Sequence, residues 1–244
     1  MICGLCRQGT EKLVKSHIIP KAMMIDGLGE SEKIAIAGTA GHPKRSPVGI
    51  WSKIVCPDCE KSFGKDDEYL ISVYRKIDQF PTAFEGEATL LKDVDARKLQ
   101  RAILSVFFRA HLSDHELFKS VHLDHLAEEL RNYILGTKES IPASFSICLR
   151  HVSNAIGGLI IQPIRENYDG IHAYRFFLPK ITAIIRADKE DFREPFKSLQ
   201  IIDGQEVYAM RFDRLTPSEY RIGKKIILHN GEDRLKSALG IKDL

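Results

Sequence analysis

An α+β fold is predicted, laid out along the chain in three zones, and three observations carry the prediction. Two Cys-x-x-Cys pairs, Cys3/Cys6 and Cys56/Cys59, bracket the first zone, residues 1–80. Apolar residues recur every three or four positions in the second zone, 81–140, and short β-like runs separated by turn residues fill the third, 141–244. These patterns imply a metal-tied ββα module, a helical segment and an antiparallel β-sheet region, in that order.

In the first zone, two residues between cysteines let both thiolates turn onto one ion. Two such pairs supply the four soft ligands that tetrahedral Zn²⁺ takes, here Cys3, Cys6, Cys56 and Cys59. Ten residues separate Cys6 from His17, enough for a strand, a turn and a second strand that ends at the histidine. Cys56 and Cys59 then open a helix starting near Glu60, which completes the ββα layout. Its apolar positions are Phe63, Tyr69, Leu70, Val73 and Ile77, with Gly64 as a weak point near its start. Between hairpin and helix, residues 38–49 hold three glycines and two prolines and are predicted to be a loop.

In the second zone Leu99, Ile103, Val106, Phe107 and Ala110 mark an amphipathic helix. Ser113-Asp-His-Glu116 has capping-box form and predicts a new helix start. Asp124 can cap a third helix through Leu126, Leu130, Ile134 and Leu135, with Gly136 as its stop. The third zone reads as strands at 145–149, 158–163, 174–178, 181–185, 199–202, 207–212 and 225–229, with a tight turn at Pro179-Lys180 and a short helix over 233–239. Its aromatic residues Tyr168, Tyr174, Phe176 and Phe177 are read as core.

Composition excludes little. With 43% hydrophobic and 28% charged residues, the 244-residue chain is ordinary for a soluble globular protein. A net charge of +3 is compatible with a nucleic-acid partner without arguing for one. There is no apolar run long enough for a membrane span and no secretory signal, and four of five cysteines sit in knuckles, which suits a reducing, cytoplasmic setting. Cys148, in an apolar run, is read as a small buried hydrophobe.

His17 has the residue type a general base needs, because imidazole titrates near neutrality. Cys-x-x-Cys, then Ser16-His17-Ile18-Ile19-Pro20, then Cys-x-x-Cys-Glu60 resembles the zinc-bearing HNH endonucleases, a treble-clef, ββα-metal family, over residues 1–77. A Leu-Ser-x-x-x-Arg-Ala run at 104–110 is similar to uncharacterised bacterial or phage members. The resemblance implies a metal-dependent endonuclease that hydrolyses DNA phosphodiester bonds, with structural Zn²⁺ on the four cysteines and His17 as general base. By its own chemistry the Glu60 carboxylate can hold Mg²⁺ or a similar divalent ion, with Asp67 seven residues on near the same helical face, and His42, in the loop before the second knuckle, can supply the middle HNH position. Ser16 stands where the family usually has an acidic residue, and Glu60 where Asn is common.

The alternative is a non-catalytic zinc-knuckle module that binds nucleic acid or protein. A third reading is a toxin- or defence-type effector gated by the C-terminal sheet, a region that is also a candidate homodimer contact. Elsewhere, Lys44 and Arg45 are either phosphate contacts or a solvated loop. Asp66, Asp67, Glu68, Arg101 and Arg109 are read mainly as surface charge, and His111, His115, His122 and His125 mainly as non-metal residues.

Overall fold

A computed structural model of the chain describes residues 1–26, 34–37, 44–46, 49–79, 86–152, 159–178, 180–212 and 221; of 34–37, 44–46, 78, 152, 159 and 212 it describes the backbone alone. The elements are mixed α and β, with a group of helices and a six-stranded sheet.

At the amino end, β1 (Val14–His17) pairs antiparallel with β4 (Trp51–Val55), matching Lys15 with Lys53, Ser16 with Ser52 and His17 with Trp51. Period-two alternation puts Ser16 and Ser52 on the buried face and Lys15, Trp51 and Lys53 on the exposed one. Short helix α1 (Lys21–Asp26) follows β1 and buries Met23 and Met24.

Between the hairpin strands lie β2 (Ile34–Ala37) and β3 (Lys44–Ser46), which pair with each other. The loop expected over 38–49 is therefore corrected at 44–46, where backbone pairing extends a stretch whose glycines and prolines lie around it. β2 also pairs in parallel with β7 (Leu159–Ile161), a partner more than a hundred residues away.

α2 (Pro57–Lys76) begins as the sequence suggests. Cys56 is its extended N-cap residue, Pro57 supplies a fixed φ where no N–H is needed, and Asp58 and Glu60 lie in the positive first turn, with Arg75 and Lys76 in the negative last one. Gly64 is carried within the helix without a break.

α3 (Ala96–Leu112) is the axis of the molecule. Asp95 caps it by accepting from the Lys98 N–H at 3.0 Å. From Leu99 to Ala110 every residue but Arg101 is buried, as for a helix enclosed on all sides. The capping-box sequence after it yields only a 3₁₀ turn, Glu116–Phe118. There the His115 Nδ1 accepts from Leu117 N–H and Ser113 Oγ accepts from His115 N–H, both at 3.1 Å, which uses up the cap without a helix following. The third helix is α4 (Ala127–Leu135), preceded by a 3₁₀ turn at Asp124–Leu126. It stops at Gly136 (φ 78°), whose left-handed backbone admits Gly without strain.

The large sheet runs β5 (Ala88–Leu91), β11 (Val207–Phe212), β6 (Phe145–Val152), β10 (Ile181–Ala187), β9 (Ile171–Leu178) and β8 (Ile164–Tyr168). All neighbours are antiparallel except β11 and β6, which are parallel. The purely antiparallel expectation is thus corrected at one seam. No hairpin joins β6 to β11, so nothing forces them to run oppositely.

β9 and β10 are buried on both faces. On one side Phe107 of α3 packs against Tyr174 (ring centroids 5.1 Å apart) and edge-on against Phe176 (5.8 Å). On the other, Phe192 joins Cys148, Ile171, Ala173 and Ile184 in a smaller cluster. The strand expected at 199–202 is instead a 3₁₀ turn (Lys197–Leu199) with one bridge from Gln200 to Cys148. The expectations at 225–229 and 233–239 lie outside the described residues. Among the described residues, no helix is long and apolar enough to cross a membrane.

Candidate metal centre and the His17 strand

Four thiols converge where the chain's amino end meets the start of α2. Cys3 begins a tight knuckle in which its N–H donates to Gln8 and its carbonyl accepts from Arg7, both at 3.0 Å. The knuckle docks on β4 through the Gly4 N–H, 2.9 Å from the Ile54 carbonyl. A Cβ on Gly4 would lie 2.8 Å from that same oxygen, so only glycine allows the approach. From the other side Arg131 of α4 donates to the Leu5 carbonyl at 3.1 Å.

This geometry brings Sγ of Cys3, Cys6, Cys56 and Cys59 within 4.8 Å of one another, and Cys6 and Cys56 to 4.0 Å. Sulfurs about 2.3 Å from a tetrahedral zinc ion are separated by about 3.8 Å, so the set needs only slight closure. All four are free thiols. Burial pushes the Cys3 thiol up, but N–H groups of Cys56, Cys6 and Leu5 aimed at its sulfur outweigh that and hold it at about 7. The Cys56 N–H is 3.3 Å from that sulfur. Four sulfurs so placed, one of them with its ionised form favoured by backbone N–H groups, form a donor set compatible with structural zinc. Among the described residues this is the one group of three or more potential ligands so placed.

His17 ends β1, half-buried, with its ring beside Gly49 and Met24. A Cβ on Gly49 (φ 83°) would come within 3.4 Å of the imidazole Cδ2 and 3.0 Å of the Met24 sulfur. The His17 carbonyl accepts from Arg109 Nη1 at 2.8 Å. That guanidinium is wholly buried, grips both oxygens of Asp67 on α2, and lies 4.9 Å from the Phe63 ring centroid. One arginine therefore joins β1, α2 and α3.

Arg109 and Arg101, read from sequence as water-facing, are corrected on this point. Arg101 donates to Asp66 at 3.0 Å and to the terminal carbonyls of α4 at Tyr133 and Ile134. Burial raises the Asp66 carboxyl from its ordinary range, with Arg101 pulling the other way. The sequence signal for Arg109 was its place among buried positions at 105–110, which outranked its charge.

Glu60 stands one turn into α2, half-buried, and its Oε2 is buried with no hydrogen-bond partner. Ser16 Oγ is likewise buried and unpartnered. Across the hairpin, Ser52 Oγ bonds Ser113 Oγ at 2.7 Å and donates to Asp114 at 2.8 Å. His42 lies outside the described residues. Of the central histidines, His111 Nδ1 is 3.5 Å from the Val121 carbonyl and His115 caps a turn. His122 and His125 line a cavity of about 200 Å³ with His172 and Arg165. Family models, curated proteins and solved structures were all compared with the chain, and none matches it.

Proposed function

We propose that the amino-terminal segment is a treble-clef HNH module and that the protein is a metal-dependent endonuclease hydrolysing phosphodiester bonds of DNA. The observation that carries the proposal is the frame around His17: a two-stranded hairpin and a helix tied at their bases by four clustered thiols, with the histidine at the strand end. On this frame His17 takes the proton from an attacking water. The carbonyl bond from Arg109 fixes the strand that carries the ring. The unpartnered Glu60 oxygen, in a helix's first turn, is a carboxylate with a free ligand position, the chemistry that fits Mg²⁺ or a similar ion. Such an ion, when bound, supplies Lewis-acid polarisation of the scissile phosphate.

The test is plasmid cleavage by zinc-loaded protein with added Mg²⁺ or Mn²⁺, beside His17→Ala. Activity should fall roughly 10²- to 10⁴-fold in the variant while its zinc content stays at one ion per chain. Equal cleavage by both proteins removes His17 from the mechanism.

A second reading, a zinc-knuckle binding module without catalysis, is favoured by one observation. Ser16, in the position of the family's acidic residue, is fully buried and brings no carboxylate beside His17. Absence of cleavage by a zinc-replete wild type with either metal would select that reading.

A further inference from the structure

The hairpin face that carries Lys15, Trp51 and Lys53 has a composition that folding alone does not favour. Lys15 and Lys53 are directly opposed cross-strand partners. Like charges in that arrangement destabilise a strand pair, and a two-stranded ribbon has little stability in reserve. Both ammonium groups are exposed, and among the described residues neither has a carboxylate partner. Trp51, the chain's only tryptophan, is next along the same face and 36% exposed. The Lys15 Nζ lies 4.1 Å from its ring centroid. His17, paired with Trp51, ends the same row. Two exposed cations and a partly exposed indole whose ring is covered only by a lysine side chain, with no acidic residue in the paired register, form a surface complementary to a flexible polyanion with flat faces.

We infer that the outer face of the β1–β4 hairpin binds single-stranded nucleic acid, with a base stacked on Trp51 and backbone phosphates on Lys15 and Lys53. Lys15 leaves the indole for a phosphate when a base takes its place. Stacking is indifferent to base identity but needs an unpaired base, so the surface selects strand state, not sequence. Under the hydrolase proposal it would feed an unpaired strand toward His17, and only that last step depends on the proposal. A duplex keeps its bases stacked on one another and offers the indole nothing.

Because Trp51 is the sole tryptophan, its fluorescence reports on this face alone. The zinc-loaded full chain is titrated with a dT oligomer and with a duplex of equal length, without added divalent ion so that no cleavage intervenes. Expected are saturable quenching by the single strand, weaker binding of the duplex, and loss of affinity with salt. In Lys15→Gln/Lys53→Gln the slope of log affinity against log salt should shrink by about 1.4, two phosphates at roughly 0.7 each on a single strand. Trp51→Leu, followed by anisotropy of a labelled oligomer, should bind about 5- to 100-fold more weakly.

Lys53→Glu separates binding from stability, since it converts the opposed pair to an attractive one. It should melt no lower than wild type yet bind more weakly. Duplex binding as tight as single-strand binding overturns the inference, as does an unchanged salt slope or equal quenching by a poly-glutamate peptide. Cleavage is scored separately. Cutting without single-strand preference leaves the endonuclease standing and removes this surface. Single-strand binding without cutting does the reverse.

Discussion

The amino-terminal strand pair and the six-stranded sheet share one apolar core but differ in what else can hold them. The hairpin strands have four and five residues, and only one of their faces is buried. A ribbon of that size is marginal by itself; beside the burial of Ile18, Ile19, Ile54 and Val55, the clustered thiols of Cys3, Cys6, Cys56 and Cys59 offer a cross-link that a bound metal would complete. In the sheet, β9 and β10 are covered on both faces, by Phe107 of α3 on one side and Phe192 on the other. That sheet needs no cross-link.

The sharpest way to break the comparison is to remove the metal. Chelation, or Cys59→Ser, should abolish amide-exchange protection over residues 1–20 and 50–60 while strands β6, β9 and β10 stay protected. Structural zinc contributes about 10–16 kcal/mol in small metal-folded domains, far more than a short hairpin can replace. Simultaneous loss of protection everywhere would show that the two regions are one cooperative unit.

Phe107→Ala attacks the other side. Removing the ring between Tyr174 and Phe176 should cost about 3–5 kcal/mol in denaturant unfolding and leave zinc stoichiometry untouched. A fall in zinc content would tie sheet packing to the thiol cluster.

The smallest of the three effects comes from Gly4→Ala, which pushes a methyl against the Ile54 carbonyl. Overpacking of this kind costs about 1–3 kcal/mol. It should appear as weaker zinc retention in a competitive chelator titration, with an unchanged sheet. If zinc is held as tightly as before, knuckle docking on β4 is not what sets the metal's hold.

What could be read from the sequence was local. Cys-x-x-Cys spacing announced the thiol cluster, the three- and four-residue apolar rhythm announced α3, and Gly136 announced the end of α4. Of the aromatic residues read as core, Tyr174, Phe176 and Phe177 are buried and Tyr168 is half-buried. What escaped depended on distant partners. Nothing near Ile34–Ala37 says that it pairs with Leu159–Ile161, and nothing in 207–212 says that it runs parallel to β6. β8, with an exposed residue at every second position, was too polar to stand out. At the site, the residue types and their order were legible. The burial of Arg109 and its grip on Asp67 and the His17 carbonyl were not, because a lone arginine on a helix is ordinarily a surface residue. The orphaned Glu60 oxygen is visible only in three dimensions.

That arginine also works as a strut. It bolts the imidazole-bearing strand to the helix on which the large sheet rests, beside the bonds from Ser52 to Asp114 and from Arg131 to Leu5. The order of failure on heating is then asymmetric: the knuckle can fray while the joint holds, but melting of the central helix must set the histidine loose.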